Sequence, residues 1–166
     1  MPFLFFQVNL SLTIRILAIG KVREPALAEL CGEYAERVSR YGHKMIIEEV
    51  REEPGGREPA HILEKEAERL RARLTEAAYT VALDREGDEL DSQALAAFLG
   101  RIQDQGLKEL AFLVGGHLGL KPELVKSCRR AISLSKLTFT HEMARLILLE
   151  QLYRANTILR GEPYHK

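Results

Sequence analysis

Two cysteines in 166 residues leave little material for disulfides or thiolate metal centres. Cys31 and Cys128 lie on separate helical patterns with no ligand spacing, and they read as reduced residues of a cytoplasmic protein. No metal is expected. No apolar run approaches the roughly 18 residues a membrane helix needs, so no membrane partner is expected either. The opening stretch MPFLFFQVNLSLT lacks a basic n-region and a small-residue cleavage site, and residues 1–13 read as an N-terminal extension rather than a signal peptide. An alternative start or a strand added to a sheet edge fits it better. Net charge is missing as well, because 24 Lys and Arg balance 24 Asp and Glu, so no global field draws the chain to nucleic acid. Neither GxGxxG nor a Walker-type loop occurs, which counts against a nucleotide-binding oxidoreductase or a P-loop NTPase. Internal repeats and low-complexity tracts are absent.

What is present is the composition of one globular domain, residues 14–166, with 46% apolar and 29% charged residues. Charge is unevenly spread. Residues 121–166 carry nine Lys or Arg against four Glu, a local +5 that suits an anionic partner or an ordinary solvated face.

Short β-branched runs alternate with helical patterns. Strands are expected at 14–19, 45–50, 79–83, 109–114 and 132–135. Helices are expected from Pro25 to about Tyr41, over 60–75, from Ser92 as cap to about Gln105, from Pro122 to about Ala131, and over 142–159. The segment REEPGGREP (51–59) reads as a mobile loop, and DREGD (84–88) as the exit loop of the third strand. This alternation implies an α/β fold, a mostly parallel sheet flanked by helices, with ligands expected beyond the carboxyl ends of the strands.

The C-terminal third holds the candidate chemistry. Gly115, Gly116 and Gly119 follow a strand and precede a helix, where glycines let backbone N–H groups approach a ligand, although a tight structural turn fits equally well. The run Leu134, Ser135, Lys136, Leu137, Thr138, Phe139 fits a buried strand as well as a loop that packs an adenine ring. Thr140 is a candidate cap for the last helix. That helix is apolar on nearly every side, which implies burial on every side and a second subunit. His141, Arg145, Arg154, Arg160, Tyr164 and His165 are candidates for a base, a stacking ring and phosphate clamps, against the plain alternative of a structural histidine and a frayed tail. No nucleophile–base pair or paired carboxylates stand out.

The blocks IRILAIGK, VALDREG, FLVGGHLGL, ISLSKLTFTH, LLEQLYRA and RGEPYHK resemble, in order, those of the large-subunit ribosomal RNA methyltransferase H family, within the SPOUT class of knotted methyltransferases. The similarity runs from about Ile14 to Lys166. It implies a C-terminal trefoil knot that binds S-adenosylmethionine, a homodimer, and methylation of ring nitrogen 3 of a pseudouridine in large-subunit RNA of assembled ribosomes. It puts Leu83, Gly115 and residues 134–139 on cofactor positions, and His141, Arg145, Arg154, Tyr164 and His165 around the RNA and catalytic surface. Thr140 stands where that family usually has proline. A ribosome-binding factor that keeps the fold without the chemistry is the competing expectation.

Overall fold

The computed structural model describes residues 11–166, so the expected extension lies almost wholly outside the described residues. Five parallel strands form one sheet in the order β2-β1-β4-β3-β5. They are β1 (Thr13–Ile19), β2 (Lys44–Val50), β3 (Tyr79–Glu89), β4 (Glu109–Val114) and β5 (Arg130–Ser133). Between them run α1 (Pro25–Ser39), α2 (Pro59–Arg71), α3 (Ser92–Asp104) and α4 (Pro122–Ser127), and α5 (His141–Leu159) closes the chain.

The two-residue period of β1 and β4 builds the layers. Ile14, Ile16, Ala18, Leu110, Phe112 and Val114 enter the core under α1, α3 and α5. Leu17, Ile19 and Leu113 enter the core under α2 and α4. Strands covered on both faces are mostly apolar, as parallel sheets require, and each large buried side chain contributes about 1.5–3 kcal/mol of transfer free energy.

Four expectations shift. First, DREGD is not a loop: β3 continues through it, with a register break between Leu83 and Asp88 where it pairs β5 a second time. Gly87 permits this, since a Cβ there would stand 2.7 Å from the Ala131 carbonyl carbon. Second, α4 stops at Ser127 and β5 begins at Arg130, because the ladder to Val81 and the Arg129 N–H donation to Thr80 (3.1 Å) hold the backbone extended. Third, Asp91 rather than Ser92 caps α3, accepting from the Ala94 N–H at 2.7 Å. Fourth, α5 is covered largely from within its own chain. It lies over the sheet between α1 and α3, so apolar residues on several sides need no second copy to explain most of them. Thr140 does cap α5, accepting from the Met143 N–H at 3.2 Å. Both cysteines are free, Cys31 buried and Cys128 half-buried. Among the described residues, no helix is long and apolar enough to cross a membrane, and no cluster of His, Cys, Asp or Glu is disposed to hold a metal.

Candidate functional site

A cleft of about 680 Å³ opens where β4 and β5 end beside the register break of β3. That is within the ~300–1,000 Å³ of ordinary small-molecule sites, at the strand ends where α/β sheets bind ligands. Gly115, Gly116, His117 and Gly119 form one wall. The turn is tight: the Gly119 N–H donates to the Gly116 carbonyl at 3.0 Å, and a Cβ on Gly115 would stand 2.6 Å from the Gly119 carbonyl oxygen. Any side chain at 115 would force the turn open.

Leu134, Ser135, Leu137, Thr138 and Phe139 form the facing wall, and Leu83 contributes from β3. Serines fold this segment on itself: Ser133 donates to the Ser135 carbonyl at 3.0 Å, and the Ser135 hydroxyl accepts from the Leu137 N–H at 3.0 Å. Leu137 is 71% exposed at the mouth, an apolar side chain with no cover of its own. Lys136 points elsewhere and pairs with Glu89 at 3.1 Å, tying the segment to the far end of β3. An apolar slot between a glycine turn and a self-bonded loop suits a flat heterocycle with a polar, flexible arm. Eight of the nine expected cofactor positions line it.

The other candidates divide. His141 lines the cleft from the first turn of α5, its ring packed on Gly20 and its Nδ1 buried without a partner among the described residues. Arg145, one turn on, is 1% exposed, and its guanidinium donates to the Gly20 carbonyl (3.0 Å) and to Glu49 (2.9 Å). It clamps the loop after β1 inside the protein rather than facing a partner. Glu142 accepts from the Arg23 and Glu24 N–H groups at 3.1 and 3.2 Å, and those bonds hold its carboxyl below the usual range.

Arg154, Tyr164 and His165 assemble elsewhere, around Glu150. Arg154 donates to Glu150 at 2.6 Å, lies over the Tyr164 ring at 4.7 Å, and brings Nη1 within 3.5 Å of His165 Nδ1. The Tyr164 hydroxyl donates to Glu150 at 3.1 Å, and its ring meets Tyr153 edge-on with centroids 4.8 Å apart. Burial, then Tyr34 and Glu150, push the Tyr164 phenol up, so it stays protonated. Tyr34 and Tyr41 extend the patch, which thus holds four of the five tyrosines. His141 and Arg154 are separated by thirteen residues of one helix, about 20 Å of rise. As folded, one chain therefore holds its tail patch apart from its own cleft.

Asp84 and His117 also line the cleft, and neither stood out in the sequence. The available signal was position, since Asp84 directly follows an apolar strand run and His117 follows the glycine pair that ends another.

A family model described as "Predicted SPOUT methyltransferase" matches residues 12–165. The chain is 44% identical over 152 residues to the ribosomal RNA large subunit methyltransferase H of Geobacter metallireducens, covering 92% of this chain and 97% of that one. It is 40% identical over 157 residues to the protein of the same name from Carboxydothermus hydrogenoformans, covering 92% and 99%. The structure of a probable methylase family protein from Haemophilus influenzae Rd KW20 superposes with a TM-score of 0.50, covering 95% of this chain and 71% of that one, at 12% identity, a likeness of fold.

Proposed function

We propose, because this chain belongs to the SPOUT methyltransferase family, that it methylates ring nitrogen 3 of a pseudouridine in large-subunit ribosomal RNA, on assembled ribosomes in the cytoplasm. The observation that carries the reading is the cleft itself, with a glycine turn facing the 134–139 segment and His141 at one end. Relatives aligned over more than nine-tenths of the chain are named ribosomal RNA large subunit methyltransferase H, which supports the coarser part of the reading.

When bound, S-adenosylmethionine supplies a methyl group already activated on a sulfonium, so the protein's main task is positioning. Leu83, Leu134, Leu137 and Phe139 would pack the adenine, while backbone groups of Gly115, Gly116, Ser135, Lys136 and Thr138 would hold its edge and the polar arm. The trefoil path of the C-terminal third belongs to this reading. The target nitrogen must lose its proton, and a histidine within reach assists such a step by about 10²–10⁴-fold. His141 and His165 are the bases this reading assigns, at the cleft and in the tail, and His117 also stands on the cleft wall. Tyr164 would stack on or orient the base, and Arg154 would hold a phosphate.

The helix-length gap between cleft and tail supports a homodimer in which one copy's Arg154, Tyr164 and His165 serve the other's cleft. Arg145 supports the cleft from beneath, by fixing the loop after β1 against which His141 packs.

The test is transfer of tritiated methyl to intact ribosomes, separated subunits and naked RNA, side by side. Label in large-subunit RNA of intact ribosomes is the expected result, and His165→Ala should lower turnover far more than donor affinity. Label confined to naked RNA, or none, would overturn the ribosomal reading.

A further inference from the structure

We infer that Glu66, beneath the glycine turn, makes the cleft prefer the cationic methyl donor over its neutral spent form. The inference rests on the reading that S-adenosylmethionine occupies this cleft.

Glu66 sits on the buried stripe of α2 with Ile62, Ala67 and Leu70, a position where periodicity calls for an apolar side chain. It is 3% exposed. One carboxyl oxygen accepts from the Glu53 N–H at 3.0 Å, and the other has no partner among the described residues. Both oxygens lie 3.3–3.5 Å from where a Cβ on Gly116 would stand. The carboxyl thus fills the space left by the missing side chain of Gly116, and Gly116 lines the cleft. Only one glycine backbone separates this buried, half-satisfied carboxyl from the ligand space.

Among the described residues, no cation forms an ion pair with it. Arg69 is committed to Glu53 and to the Arg51 carbonyl. His61 faces Glu53 at 3.8 Å, Glu52 adds like charge, and His117 stands on the turn itself. Burial pushes the Glu66 carboxyl up from its usual range, outweighing the opposing pulls of the Glu53 N–H, His117 and Arg69. A leucine or methionine would pack there with Ile19 at no such cost. Asp84 is the other nearby acid, but it sits at the half-exposed mouth where solvent screens it.

A carboxylate behind the turn acts on whatever charge differs between two ligands of one shape. S-adenosylmethionine carries a sulfonium cation, and S-adenosylhomocysteine carries a neutral thioether. Their α-ammonium and carboxylate groups are common to both and cancel in the comparison. An unscreened carboxylate at this depth favours the sulfonium by about tenfold, and so eases departure of the spent donor.

Isothermal titration of both ligands into the wild type, Glu66→Gln and Glu66→Met tests this without any turnover. Glutamine keeps the shape and the bond from Glu53, and methionine suits the apolar stripe, so either variant that folds gives the readout. The expected result is about tenfold weaker binding of S-adenosylmethionine with S-adenosylhomocysteine unchanged. Sinefungin, with an amine at the sulfonium position, should follow S-adenosylmethionine, and Glu66→Asp should restore the preference in part. Equal weakening of both ligands would show that Glu66 only shapes the turn, and no change in either would show that it is inert; both overturn the inference. A wild type that binds neither ligand would overturn the cofactor reading beneath it, and the inference with it.

Discussion

His43 shows how a buried side chain sets a pH limit. It packs at the start of β2 with Nε2 2.9 Å from Asn156 Oδ1, near Gln103, and its Nδ1 has no partner among the described residues. Burial lowers its pKa below the ordinary 6.5. The unfolded chain therefore takes up a proton below about pH 6.5 that the folded chain resists. Stability should be full above that pH and should fall as pH drops toward the folded value. Urea midpoints at pH 7.5, 6.5 and 5.5 should decline for the wild type and stay flatter for His43→Gln. Arg145 and Arg154 make a second contrast. Arg145→Ala strands the loop after β1 and should cost about 3 kcal/mol by urea unfolding, whereas Arg154→Ala should cost under about 1 kcal/mol and act on turnover instead. Sequence alone could not separate these two arginines. The partners of Arg145 are Gly20 and Glu49, 125 and 96 positions away, and no local pattern announces them. Glu66 was hidden for the same reason, as its space is defined by Gly116.

Elements were legible where a signal is local. Pro25, Pro59 and Pro122 each open a helix, and the apolar runs of β1 and β4 alternate between two cores as a two-residue period demands. Reading failed where pairing across the sheet overrode local chemistry. DREGD has the composition of a turn, yet β5 crosses it and holds it extended, and the same ladder shortens α4. Helix α5 shows the limit of reading burial from pattern: its apolar sides meet α1 and α3, which no window along the helix reveals. Its start is local and testable. Thr140→Ala should lower stability by about 1 kcal/mol, and Thr140→Ser should restore most of it in the same urea titration.

Two chemistries lie at opposite ends of α5, a donor-sized cleft and a tyrosine–arginine patch that gathers the tail. The expected site residues therefore split into groups that a single chain keeps apart, and this was invisible in a linear sequence where both sit in the last third. A twofold dimer that joins one copy's tail to the other's cleft makes a specific prediction. His165→Ala and Gly115→Ala should each be inactive alone, and a refolded equal mixture should regain about a quarter of wild-type transfer, because half the dimers carry one intact site of two. No recovery would mean that each chain works alone. The most direct measurement of the central claim is backbone amide mapping, by hydrogen exchange, with and without S-adenosylmethionine. Protection is predicted at residues 115–119 and 134–139, with the patch around Tyr153 unchanged. Protection at that patch with the cleft unaffected would contradict the account.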